Sequence, residues 1–288
     1  MHFLLLKIAS SVGMGLVLKH ADARGIDRLA VIRVNYAAGA VIAFFAAVAL
    51  GQKTLALNTA LLAAVLGVLF VAGLVFWAKA IETGGLATSV VAMRTAIVIP
   101  VLASVVCWRE TPGVLEIAGA VVALVALGLV IAEIVRPARR VPPPGERPTG
   151  RHAWGWMLGV FLVNGLVNTG AKLFQQEMPQ EQSFPFQATI FVSAFLVTTV
   201  LYYVRKARVD RSSLLYGSAL GAANLGNYLF LILALNVLPG TVVYPATAAG
   251  EVGLMALAGL LVWGERLGVR GWVGIALAVV ALVLLQVG

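Results

Sequence analysis

Apolar residues run along the chain in blocks about 18 to 23 residues long, separated by short polar breaks, the length at which an α-helix crosses a hydrocarbon core ~30 Å thick. Ten such blocks are predicted as helices, over residues 3–20, 29–50, 58–81, 86–108, 113–135, 153–174, 185–204, 214–236, 241–263 and 269–287. Between the fifth and the sixth lies 136–152, which contains Arg-Pro-Ala-Arg-Arg and Pro-Pro-Pro-Gly. Prolines and charges at that density suit neither a helix nor lipid, so the stretch reads as a linker. The expected fold class is an all-α integral membrane protein of ten transmembrane helices, with five in 1–135 and five in 153–288.

The two halves resemble each other. A shift of 155 positions lays Trp108 on Trp263, Glu110 on Glu265, Gly113 on Gly268 and Gly119 on Gly274, and it matches most of Ala123–Leu129 to Ala278–Leu284. Composition alone explains leucine on leucine, but not a Trp-x-Glu-x-x-Gly spacing that recurs at the same helix boundary. Because five is odd, the second copy is expected to enter the membrane from the opposite side. The expectation is therefore a pair of inverted five-helix repeats, an architecture that transporters use.

Composition agrees with the block pattern: 61% of residues are hydrophobic and 11% charged, against ~45–50% and ~25% in soluble domains. A net charge of +9 raises the question of nucleic acid. The Lys and Arg residues, however, lie in the breaks and form no basic face interleaved with aromatics, so nucleic acid is excluded as a partner and the bilayer is expected. The first block is retained as a helix rather than a cleaved leader, because no Lys or Arg precedes the apolar run, Lys7 interrupts it, and Lys19 and His20 crowd Ala21-Asp22-Ala23, which resembles a small-residue cleavage site. Cys107 is the sole cysteine, so no intramolecular disulfide can form, and it is expected to pack as a small hydrophobe.

Enzymatic parts are missing from the pattern. His2, His20 and His152 offer no metal-ligand spacing, and no Gly-x4-Gly-Lys-Ser/Thr loop is present to hold a nucleotide. No cofactor and no catalytic residue is expected.

Ten spans put both termini on one side with Lys7, Lys53, Arg109 and Lys172. The other side holds sixteen basic residues, with Arg94 set aside at membrane depth. The positive-inside rule then places both termini outside the cytoplasm.

With these residues in view, Ala80–Val130 and Ala234–Leu285 resemble the paired EamA-like repeats of the drug/metabolite transporter superfamily. The resemblance rests on an Ala-rich end of the third helix, a fourth helix closing on Trp-Arg-Glu or Trp-Gly-Glu, and a fifth opening with Gly and small residues, in two copies; Arg33 at the start of the second span also fits. The sequence departs from that pattern at Pro100, one turn nearer the loop glutamate, and at Val252, where the pattern places a proline. The resemblance implies a secondary carrier, often an exporter, in a bacterial cytoplasmic membrane, with its cavity between the halves near the midplane. It also implies cytoplasmic termini, opposite to the charge count.

Charges at membrane depth cost ~2.5–3.5 kcal/mol each, so those retained are expected to face a partner or a cavity. Glu251 lies ~15 Å into the ninth span and Arg94 ~12 Å into the fourth, by the 1.5 Å rise per residue. The two spans are repeat equivalents, so the side chains are expected to meet. A proton, a solute and the guanidinium would then compete for one carboxylate, which makes the pair a candidate solute- and proton-binding site. The structural alternative is an ion pair that locks the fold.

Asn164, Asn168 and Lys172 share one face of the sixth span at i, i+4 and i+8, either as cavity lining or as interhelical hydrogen bonds. Asn224, Asn227 and Tyr228 of the eighth span, near Gly217 and Gly221, carry the same two readings, and Asn35, Tyr36, Trp77, Gln187 and Tyr244 carry less weight. Glu110 and Glu265 read as caps at helix boundaries, and Glu133 with Arg136 as an interfacial pair. Three functions stay open: a secondary transporter of a small metabolite or drug-like solute by alternating access, a non-transporting scaffold or sensor subunit, and a lipid-carrier flippase.

Overall fold

A computed structural model describes residues 2–84, 86–138, 151–205, 209–263 and 268–287. They form eleven α-helices: α1 (His2–Ala23), α2 (Arg28–Ala49), α3 (Leu57–Gly84), α4 (Leu86–Thr95), α5 (Val98–Trp108), α6 (Val114–Ala138), α7 (Arg151–Glu177), α8 (Ser183–Arg205), α9 (Arg211–Leu235), α10 (Gly240–Trp263) and α11 (Val269–Val287). One 3-10 turn, Gln180–Gln182, links α7 to α8. Among the described residues nine helical segments are long and apolar enough to cross a membrane, with α4 and α5 together supplying one, and Val269–Leu285 is a shorter apolar helix. Val106, Val114, Leu261 and Val269 are 74–84% exposed. Apolar surface on that scale belongs in lipid, so the chain is an all-helical, multi-pass membrane protein.

The polar breaks fix the helix ends. The Asp27 carboxylate accepts the Leu29 and Ala30 N–H groups at 2.9 and 3.1 Å and starts α2. Gly51, at φ 70°, closes α2 in a left-handed turn, with the Gln52 N–H returning to the Ala47 carbonyl at 2.8 Å. Asp210 starts α9 by accepting from the Ser213 N–H at 2.7 Å and from its hydroxyl at 2.5 Å.

The helices form two compact units. One comprises residues 1–72 and 170–236, and the other 73–169 and 237–288, so each draws on both halves of the sequence. In the first, α2 packs against α8 and α9, and α1 against α9. Lipid gives apolar side chains no hydrophobic reason to pair, so close approach through small residues decides the packing. A Cβ on Gly67 would fall 2.5 Å from the Ile190 carbonyl oxygen and 2.6 Å from the Ser193 Cβ. A Cβ on Gly221 would fall 2.6 Å from the Asn35 carbonyl oxygen and 2.9 Å from the Ala38 Cβ. Asn35 and Ala38 sit 155 positions before Ile190 and Ser193, so the two contacts are reciprocal to within one residue.

In the second unit α6 packs against α11, and α10 against α5, α6 and α11. Gly119, early in α6, lies against Leu285 near the end of α11, where a Cβ would come within 2.7 Å of the leucine Cγ. Gly274, early in α11, lies against Val130 late in α6, within 2.6 Å of a valine methyl. α6 and α11 therefore run antiparallel, and the 155-residue shift that turns Gly119 into Gly274 also turns Val130 into Leu285.

Two expectations need correction. The span predicted as continuous over 86–108 is interrupted at Ala96–Ile97, and Cys107 is exposed rather than packed. Glu265 and most of the linker lie outside the described residues, as do the side chains of Glu133 and Arg136.

Candidate functional site

Pro100 is the third residue of α5 and accounts for the interruption that precedes it. Its ring nitrogen has no hydrogen to offer the Ala96 carbonyl, and the ring crowds that oxygen, so the regular helical ladder is broken at that turn. The Ala96 carbonyl instead accepts from the Ile99 N–H at 3.1 Å. The Thr95 hydroxyl folds back onto the Val91 and Ala92 carbonyls at 2.9 and 3.2 Å, serving groups at the end of α4.

Arg94 lies in the last turn of α4, where a cation is favoured by the helix dipole. Its Nη1 donates to Glu251 Oε2 at 2.5 Å. Glu251 is the twelfth residue of the 24-residue α10, ~16 Å from its start and thus near the middle of the span. The side chains are 24% and 7% exposed, respectively. The contact offsets part of the cost of holding the two charges away from water.

The first turn of α10 is fixed by groups distant in sequence. Glu110 Oε2 accepts from the Thr241 N–H at 3.1 Å. Glu110 is therefore a cap, but of α10 rather than of the helix that follows it; Glu116 serves the start of α6 through the Gly113 N–H at 3.1 Å. Gly240 sits directly beneath the Ser104 side chain, leaving no room for a Cβ. Tyr244 is fully buried, and its hydroxyl donates to the Asn168 carbonyl at 2.9 Å. Pro245 removes a bond inside α10, which nevertheless stays continuous. A cavity of about 370 Å³ lies between Val91, Ala92 and Thr95 of α4 and Trp154, Met157, Leu158 and Phe161 of α7; neither Arg94 nor Glu251 lines it.

The remaining candidates are distributed as follows. Asn164 and Asn168 donate their amides to carbonyls one turn back on α7, Val160 at 2.9 Å and Asn164 at 2.8 Å. Those N–H groups are spent on the helix itself. Lys172 is 1% exposed, and its Nζ donates to Gln175 Oε1 at 3.1 Å. Asn224 donates to Asn35 Oδ1 at 3.2 Å, a buried amide pair joining α9 to α2. Tyr228 is buried edge-on to Phe70, with ring centroids 5.5 Å apart. Asn227 Oδ1 and both polar atoms of the fully buried Gln187 have no hydrogen-bond partner among the described residues.

Sequence reasoning gave the charged pair but not the helix break beside it, although Pro100 inside an apolar run was the available signal. It also missed the anchoring of α10, because nothing local to Thr241 announces Glu110 or Ser104.

No family model matches the sequence. An uncharacterized protein of Haemophilus influenzae is 26% identical over 293 residues, covering 98% of this chain and 96% of that one. A protein of known crystal structure has the same fold, with a TM-score of 0.77 over 99% of this chain and 95% of that one. Its 13% sequence identity carries the likeness no further than the fold.

Proposed function

We propose that the chain is a secondary transporter that moves a small polar or amphipathic solute by alternating access, with Glu251 taking up and releasing a proton in exchange for the solute. The observation that carries this reading is the Arg94–Glu251 ion pair at 2.5 Å, which joins a helix of the first sequence half to one of the second at mid-span depth. Charge is retained at such depth where it serves an ion or solute path. The interruption at Ala96–Ile97 adds support, since carriers build their sites from discontinuous helices whose freed backbone groups meet the cargo. The reciprocal glycine contacts support two inverted five-helix repeats, 1–135 and 153–288, and with them the likeness to EamA-like carriers.

In the proposed cycle, protonation of Glu251 releases Arg94 and an anionic or hydrogen-bonding group of the solute takes the carboxylate's place; deprotonation restores the pair. The membrane is a bacterial cytoplasmic membrane, and the charge bias puts both termini outside the cytoplasm. Reporter fusions at each terminus test that orientation, and a cytoplasmic signal from either would overturn it.

The functional test is Glu251→Gln in reconstituted vesicles, using a solute first identified by thermal-shift screening and counterflow. The variant is expected to lose flux driven by a pH gradient while remaining folded and inserted. Undiminished gradient-driven flux would remove Glu251 from the coupling. Absence of saturable flux for any solute with the native protein would favour a scaffold role, and scrambling of labelled lipid would favour a flippase.

A further inference from the structure

Arg33 stands among three aromatic rings of α8. It lies five residues into α2, or ~7.5 Å by the helical rise, which places it close to the boundary between hydrocarbon and headgroups. Its Nε donates to Thr199 Oγ1 of α8 at 3.2 Å. The guanidinium carbon stands 4.3 Å from the ring centre of Tyr202, with Phe195 and Tyr203 at 5.5 and 5.6 Å. Phe195, Thr199 and Tyr202 follow one another at i, i+4 and i+7, a single face of α8. Tyr202 is itself held, because its hydroxyl accepts from the Val209 N–H at 3.2 Å. Among the described residues Nη1 and Nη2 of Arg33 meet no acceptor, and no carboxylate pairs with it.

An interfacial guanidinium with its plane supported by aromatic rings and two amino groups uncommitted is a fork for a bidentate oxyanion. The α8 surface beside the fork supplies the rest of a ligand's shape. Val192, Leu196, Val200 and Tyr203 are 45–68% exposed and form a stripe that descends into the hydrocarbon next to the aromatic face. A charged fork at headgroup level above a continuous apolar track matches an anionic phospholipid, with phosphate on Arg33 and an acyl chain along the stripe. The geometry points to a specific anionic-phospholipid site on the α2–α8 face of this protein. It is independent of the transport reading and of the Arg94–Glu251 pair.

The test uses the full chain purified in detergent and titrated with phosphatidylglycerol or phosphatidylcholine, read by native mass spectrometry for retained lipid and by thermal unfolding. The native protein is expected to retain phosphatidylglycerol preferentially and to be stabilised by it. Arg33→Gln is expected to weaken retention roughly fivefold, the effect of one interfacial basic residue, and to erase the difference between the two lipids. Arg33→Lys keeps the charge but not the flat fork and falls between. Arg33 also bridges α2 and α8, so Tyr202→Leu provides a variant that leaves that bridge in place; it is expected to lose preference by roughly two- to fivefold through the missing cation–π contact. Equal retention of both lipids by the native protein would overturn the site. So would an unchanged preference in both Arg33→Lys and Tyr202→Leu, or displacement of the bound lipid by millimolar inorganic phosphate, which would indicate a phosphate site instead.

Discussion

α4–α5 and α10 occupy equivalent places in the two sequence halves, and each contains a proline, yet one breaks and the other runs through. The difference lies in where the proline falls and what holds its neighbours. Pro100 removes the bond to Ala96 within a span where the compensation is local, from the Ile99 N–H to the Ala96 carbonyl and from the Thr95 hydroxyl turned back toward α4. Pro245 removes a bond to Thr241, but that turn is already clamped by the Glu110 carboxylate, the Ser104 contact with Gly240 and the Tyr244 hydroxyl. A proline breaks a helix when the surroundings do not hold the turn for it. The polar pair is equally one-sided: the repeat equivalents of Arg94 and Glu251 are Ala249 and Ala96. The ion pair therefore has no charged counterpart at the positions 155 residues away.

The largest expected effect comes from splitting that pair. Glu251→Ala or Arg94→Ala removes one side of the ion pair and is expected to cost up to about 3–5 kcal/mol, whereas the double variant costs clearly less than the two single losses added together. Thermal or denaturant unfolding of all three variants measures the coupling, and strict additivity would mean that the pair has no cooperative role.

Next comes the proline contrast. Pro100→Ala lets residue 100 bond to Ala96 and is expected to stabilise the span by roughly 1–3 kcal/mol, with slower amide exchange around Ala96–Val101. Pro245→Ala is expected to change both readings by less, because its turn is held from outside. Equal responses would refute the account of why only one span breaks.

The smallest effects separate a cap supplied from afar from one supplied locally. Glu110→Ala is expected to cost about 0.5–2 kcal/mol and to raise exchange in the first turn of α10. Asp210→Asn at the start of α9 is the surface control. Hydrogen bonds from the Ser213 hydroxyl and N–H hold the Asp210 carboxyl below its ordinary range. Its contribution is therefore complete at neutral pH and fades as pH falls from the ordinary carboxylate range through that lowered value. Melting curves across that window should show a small acid-dependent loss in the native protein that is shallower in Asp210→Asn. An identical slope in both would place the titration elsewhere.

The hydrophobic spacing alone placed the helices, since a bilayer demands a long uninterrupted apolar helix wherever the chain crosses, and that demand is written residue by residue. The break in the fourth span carried a local sign in Pro100, though an equal sign at Pro245 announced no break; only the tertiary anchors of α10 distinguish the two. The meeting of Arg94 with Glu251 was expected from the sequence likeness of the fourth and ninth spans, and the two side chains do meet. The stripe at Asn164 and Asn168 was visible too, but a helical wheel cannot tell an amide aimed outward from one folded onto its own carbonyls.

Local chemistry therefore determined what crosses the membrane, where it stops and which charges lie at depth. Tertiary structure decided which carboxylate caps which helix, which proline interrupts, and where Arg33 finds its aromatic support. Those outcomes depend on groups more than a hundred residues apart, and in lipid such groups are brought together by close packing at small residues, a contact whose partner cannot be read from either sequence segment alone.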